Sequence, residues 1–235
     1  MAIWPLAGQV ELRHSDRMNA QIVLFDGCDP LDVIAPFEVL VAGSDAIGGE
    51  LAVELVSAEG ARPVRTGSRG LVLHATAMLD PDKPGFVVVP GAAGPVHGDP
   101  DDGVETIPVL LARVGETEVI PLVTKAFANP EVTVATVCGG SLALAMAGLL
   151  QGRNAVTHVL GNDVLDATGV NVIAARVVDD GDLVTAGGVT SGLDLALYLL
   201  EREYGSRVAL AVEALFEYER RGTVWTRGGR TTVAS

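Results

Sequence analysis

The chain is poor in cysteine and in basic residues, and each shortage narrows what it can be. Cys28 and Cys138 are the only cysteines, too few for a disulfide framework and in keeping with a reducing, cytoplasmic setting. Sixteen Lys plus Arg stand against thirty Asp plus Glu, a net charge of −14. A phosphate backbone needs a basic face, so nucleic acid is not an expected partner. A secretory signal is not expected either. The apolar stretch Ala2 to Ala7 is short, is broken by Pro5, and is followed by Glu11, Arg13, His14, Asp16 and Arg17. Met18 offers a second start, so residues 1–17 are read as an N-terminal extension and 18–235 as one domain.

No cluster has zinc or calcium spacing. Gly91-Ala92-Ala93-Gly94 lacks the third glycine and the downstream acidic residue of a dinucleotide fingerprint. No cofactor and no metal are expected. A membrane span is not expected either. Val132 to Gly152 is uncharged and about as long as a span, but its middle reads Cys138-Gly139-Gly140-Ser141. A β-branched run precedes that turn and an Ala/Leu/Met-rich run, Leu142 to Leu150, follows it. The pattern reads as buried strand, sharp turn, buried helix.

What is present suits a sizeable core: 235 residues, 49% of them hydrophobic. Short apolar runs at Ile22–Phe25, Leu51–Val56, Phe86–Val89, Ala155–Thr157, Ala174–Val178 and Leu183–Thr185 read as strands. Arg65–His74 reads as hairpin-like pieces. Helices are expected at Leu31–Val41 (interrupted by Pro36), Glu116–Ala128 (with Pro121 inside), Leu160–Asp166, Ser191–Glu203 and Ser206–Arg220. Apolar strands alternating with helices imply an α/β fold, a mostly parallel sheet with helices on both faces. His97 to Pro108 is an acidic loop, read first as a solvated excursion and second as a flap over a pocket.

Cys138 carries the chemistry if anything does. It stands where a strand ends and a helix begins, at the carboxyl edge where open α/β sheets keep their ligand crevice. Free N–H groups of the helix start favour a thiolate, so a lowered thiol pKa is expected. A free cysteine can equally be a small buried hydrophobe; the adjacent Gly-Gly turn favours the nucleophile. Cys28 lies between Asp26 and Asp29, which blunt it. Asp32, shortly after the first strand, is the acid to pair with Cys138, kept protonated by partial desolvation; a helix N-cap is the other reading. His158 and His97 follow sheet-edge positions and either could reach the sulfur. The Gly91–Gly94 turn offers a backbone N–H to an oxyanion.

These pieces resemble the ThiJ/PfpI superfamily, and within it the branch containing isonitrile hydratase. They are Leu31-Asp32-Val33-Ile34-Ala35-Pro36-Phe37-Glu38, Val89-Pro90-Gly91, Val137-Cys138-Gly139-Gly140-Ser141-Leu142, Ala155-Val156-Thr157-His158, and Val184 to Asp194. The likeness runs from about Ala20 to Tyr218. It implies a flavodoxin-like sandwich, a homodimer, a nucleophile at Cys138 and an acid at Asp32. Gly139 and Ala92 would form the oxyanion hole, with His158, His97 and Gly91 lining the pocket. The implied activity is hydration of a small isonitrile to an N-substituted formamide. Glyoxalase- or deglycase-like chemistry on α-oxoaldehydes is a second option, and a redox-sensing or ligand-binding module a third. Gly139 stands where the branch carries Thr, and Val159 where it carries Trp.

Overall fold

Runs of β-branched and other apolar residues too short for helices, closed by Gly or Pro, assemble the centre of the computed structural model, which describes residues 18–99 and 103–228. The expected N-terminal extension lies outside the described residues. The first half of the chain forms β1 (Met18–Val23), α1 (Pro30–Ala46), β2 (Leu51–Ser57), β3 (Arg62–Arg65), β4 (Val72–Ala75), β5 (Ala77–Met78), β6 (Gly85–Val89), α2 (Ile107–Val114) and α3 (Val119–Ala128). Then come β7 (Val132–Val137), α4 (Gly140–Met146), β8 (Asn154–Ala155), a 3-10 turn (Val159–Gly161), α5 (Asn162–Ala167) and β9 (Asn171–Val172). Last are β10 (Val177–Asp179), β11 (Leu183–Ala186), α6 (Ser191–Tyr204), α7 (Ser206–Phe216) and β12 (Trp225–Thr226).

Eight strands form one sheet in the order β12-β10-β11-β7-β6-β1-β2-β5. All neighbours are parallel except β10 and β11. The central run β2-β1-β6-β7-β11 has the flavodoxin-like order, whose chain reverses direction between β1 and the next strand inward. Register then decides where the chemistry can sit. Ile22 pairs with Val88, Val89 with Thr136 and Val137 with Ala186. Asp32, Gly91, Cys138 and Gly187 therefore all follow strands that end at one edge, beside the reversal.

The helices α1, α6 and α7 pack on one another, as do α2 with α4 and α4 with α5. Pro36 does not interrupt α1, contrary to expectation. It removes a single N–H from the helical ladder, and packing against α6 holds the rest. Gly192 permits that approach, since a Cβ there would lie 3.1 Å from Pro36 Cδ. Pro121 is likewise harmless, because it falls in the first turn of α3, where N–H groups have no helical partner.

Other expectations shift. The eight-residue α2, with Leu110, Leu111 and Val114 buried, was hidden by its shortness and by the acidic loop before it. The strand expected at Ala155–Thr157 is the two-residue β8, paired with β9 outside the main sheet. The strand expected at Ala174–Val178 starts later and runs antiparallel to β11. The helix expected to reach Arg220 stops at Phe216, where Glu217 turns left-handed. The uncharged stretch from Val132 is strand, turn and helix. Among the described residues no helix is long and apolar enough to cross a membrane.

Candidate functional site

Cys138 leaves β7 with φ at +55°, a left-handed conformation that costs a side-chain-bearing residue about 1–2 kcal/mol. The surroundings hold it there. Its N–H is shared between the carbonyls of Ala186 and Gly187, each at 3.0 Å. Its carbonyl accepts from Thr157 Oγ1 at 2.8 Å and from Ser141 Oγ at 3.4 Å. Gly140 lets the chain pass tight against the carbonyl of Val89, which starts α4 within two residues of the strand. The sulfur is 7% exposed with its residue and accepts from the backbone N–H groups of Gly139 and Val189.

Asp32 comes from the first turn of α1. Asp29, not Asp32, caps that helix, its carboxylate accepting from Leu31 N at 2.9 Å. This frees Asp32 to turn inward, where it is fully buried. Its Oδ2 accepts from Gly91 N at 3.0 Å, and its Oδ1 has no hydrogen-bond partner of ordinary geometry. Gly91 is the keystone of this arrangement. A Cβ on it would lie 2.6 Å from Gly139 N, 2.9 Å from Asp32 Oδ2 and 3.2 Å from Cys138 Cβ. Acid, sulfur-bearing carbon and N–H donor thus converge on one point that only a glycine leaves open.

Burial, and then the charge of Asp29, push the Asp32 carboxyl up to about 8, against the pull of Gly91 N–H and the Cys138 thiol. The acid therefore holds its proton at neutral pH, as the sequence led one to expect. The thiol differs from expectation. Burial first and the Asp32 charge second push Cys138 up to about 12, and the N–H groups of Val189 and Gly139 only moderate the rise. Desolvation of a nearly sealed sulfur outweighs the donors at the helix start. Acid and thiol face each other and titrate as a pair, with both protons in place at neutral pH.

The remaining candidates divide. Ala92, one residue from Gly91, is buried opposite Cys28 in a bridge whose hydrogen bonds run from Asp29 N to the Gly91 carbonyl and from Ala93 N to the Gly27 carbonyl. His158 reaches the site edge by an unforeseen route, since β8 is not in the main sheet. The Thr157 bond to Cys138 carries it there, and its ring covers Gly188, whose Cβ would lie 2.6 Å from His158 Cδ2. His158 Nδ1 accepts from Leu160 N at 3.2 Å, so in the neutral ring Nε2 carries the proton. His97 is exposed in the loop after Gly94 and is not brought to the sulfur. Cys28 is fully buried and pushed up to about 12, chiefly by that burial. Val189 and Thr157 escaped the sequence reading as site residues. Both lie in stretches quoted for the family resemblance, but a backbone donor has no side-chain signature.

Leu111 of α2 packs behind the elbow. A Cβ at Gly139 would lie 2.8 Å from its Cδ1, so this leucine occupies space that a larger residue 139 would need. Two surface hollows among α6, α7 and the segment after them, one lined by Asp194, Tyr198 and Arg221, do not include Cys138 or Asp32. Among the described residues no group of His, Cys, Asp or Glu is placed to hold a metal ion.

Comparison with known proteins identifies the family. Residues 111–202 match the DJ-1/PfpI family. Isonitrile hydratase of Pseudomonas putida is 34% identical over 198 residues, covering 83% of this chain and 76% of that protein. Parkinson disease protein 7 homolog of Danio rerio is 23% identical over 200 residues, covering 83% of this chain and 95% of that protein. A crystal structure of a ThiJ/PfpI family protein from Pseudomonas syringae has the same fold. Its TM-score is 0.72 at 22% identity, over 93% of this chain and 83% of that one. The chain belongs to the DJ-1/PfpI family.

Proposed function

We propose that this protein is a cysteine-dependent hydratase that adds water to a small isonitrile and releases an N-substituted formamide. One observation carries the reading: a fully buried carboxyl with Oδ1 unpartnered, converging with Cys138 on Gly91, and its burial is what pushes it up to about 8. The identity to isonitrile hydratase supports it. An isonitrile carbon must gain both a proton and a nucleophile. Asp32 gives its proton to that carbon as sulfur bonds to it, and the thiol proton replaces the one Asp32 has lost. The product is a thioimidate, R–N=CH–S–Cys138. Water oriented by Asp32 then adds its oxygen to the same carbon and a proton to nitrogen. The C–S bond breaks, sulfur recovers a proton from the new hydroxyl through Asp32, and the formamide leaves. Backbone N–H groups of Gly139 and Ala92 steady charge as it develops, and His158 and Gly91 line the pocket, whereas His97 stands away from it. A neutral pair suits an uncharged substrate.

The same reading takes residues 18–235 as one cytoplasmic domain acting as a homodimer, which light scattering on the eluted protein would check. The test of function is turnover of cyclohexyl isocyanide, with formamide followed by NMR. Wild type converts it, Cys138→Ala does not, and Asp32→Asn loses at least about a hundredfold, the scale of general acid catalysis. Turnover persisting in Cys138→Ala overturns the proposal. A second reading is a non-catalytic redox-sensing or ligand-binding module; the nearly sealed, protonated sulfur argues against ready oxidation. Oxidation of Cys138 to sulfinic acid by mild peroxide, with no turnover of any isonitrile, would select it. Lactate formed from methylglyoxal would select glyoxalase-like chemistry instead.

A further inference from the structure

The turn after β11 touches the elbow directly, the Gly187 carbonyl accepting from Cys138 N at 3.0 Å; its Val189 N–H is a donor to the sulfur, and nothing in Val189 itself fixes where that N–H points. It belongs to the turn Gly187-Gly188-Val189-Thr190 between β11 and α6. One residue outside the turn grips both of its ends. The carbonyl of Arg176 accepts from Gly187 N at 3.0 Å, and its guanidinium donates through Nη2 to Thr190 Oγ1 at 2.9 Å. The other side of the fork donates through Nε to Asp194 Oδ2 at 2.6 Å. Asp194 is 2% exposed, and it is held in turn by Tyr218 OH at 2.9 Å and Arg221 N at 2.7 Å. The turn also closes on itself, Ser191 donating to the Gly188 carbonyl through N at 3.0 Å and Oγ at 2.9 Å. That closure shapes the turn; the Cys138 N–H fixes its Gly187 end against β7, and the Arg176 guanidinium fixes its Thr190 end.

We infer that Arg176 is a positioning residue, aiming the Val189 N–H at the Cys138 sulfur by pinning Gly187 and Thr190 on either side of it. The inference rests on the reading of Cys138 as the reactive sulfur. A planar fork that bonds two partners in fixed directions suits this task, and a lysine cannot reproduce it. Charged groups acting on the sulfur are Asp32 and Asp29; those facing Arg176 are Asp194 and the Tyr218 hydroxyl. None of these changes when Thr190 is altered.

The test is the pH profile of iodoacetamide alkylation, with the labelled residue identified by mass spectrometry, in wild type, Arg176→Met, Arg176→Lys and Thr190→Val. Weakening one hydrogen bond to the thiolate slows alkylation at fixed pH by about tenfold and moves the profile to higher pH. Arg176→Met and Thr190→Val are both expected to show this, and Arg176→Lys to recover less than half of the loss. A wild-type profile in Thr190→Val, or full recovery in Arg176→Lys, overturns the inference, because distant charge would then be the cause. If Arg176→Met fails to fold, Thr190→Val decides. Label found at Cys28 and not at Cys138 in wild type sinks the reading of Cys138 itself. Label at Cys138 with unmoved variant profiles sinks this inference alone.

Discussion

Asp32→Asn separates the account from its rivals most sharply through stability. The folded chain holds the Asp32 proton up to about pH 8, whereas an unfolded chain releases it near pH 4. Between those values the native state binds one proton more than the unfolded state. Stability therefore falls as pH rises, by up to about 1.4 kcal/mol per pH unit for this one group, and levels off above about pH 8. The whole effect is at most about 6 kcal/mol. Asparagine keeps the acceptor for Gly91 N, bonded at 3.0 Å in the native protein, but has no proton to lose. Urea unfolding of both proteins at pH 5, 7 and 9 gives the comparison. The variant should gain several kcal/mol on wild type between the first and last condition, other groups cancelling in the difference. Parallel curves for the two proteins would refute the reasoning, because Asp32 would then ionise as an ordinary surface acid.

Four further tests probe the site's construction. Cys138→Gly should be more stable to urea than Cys138→Ala by about 1 kcal/mol, since both lose the sulfur and only glycine is at ease at a φ of +55°. Equal midpoints would show that the elbow is unstrained. Gly91→Ala puts a methyl 2.6 Å from Gly139 N and 2.9 Å from Asp32 Oδ2. It should cost about 1–3 kcal/mol and remove isonitrile turnover; full activity would contradict the convergence on that residue. Gly139→Thr should lower the melting temperature through Leu111, 2.8 Å from the new Cβ. Adding Leu111→Ala should cost less than the two single losses combined, and strict additivity would break the link. Thr157→Val, which removes the 2.8 Å bond to the Cys138 carbonyl, should destabilise by about 1 kcal/mol, read from chemical unfolding.

How much of this was legible depends on whether it is written in side chains. Val132 to Val137 is uniformly β-branched or small and ends at Cys138-Gly139-Gly140, so strand, elbow and sheet edge could be read directly. The site's location followed, because open parallel sheets gather ligands where their strands end. Pro36 misled in α1, since its local cost is set against packing on Gly192 that no local window contains. α2 was missed because two turns carry too little periodicity. The protonated state of Asp32 was anticipated, but its neighbour Leu31, 44% exposed, is not what seals it. The seal is Gly91 and the elbow, distant in sequence. The thiol was misjudged for the same reason, since burial is a property of the assembled edge. Val189 acts through its backbone, which every residue type shares.

The claim on which the account depends is that Asp32 keeps its proton beside Cys138 at neutral pH. Infrared difference spectra of wild type against Asp32→Asn read that proton directly. The account predicts a protonated carboxyl stretch assignable to Asp32 at pH 6.5, giving way to a carboxylate band as pH passes about 8. A carboxylate band at both ends of that range would contradict it.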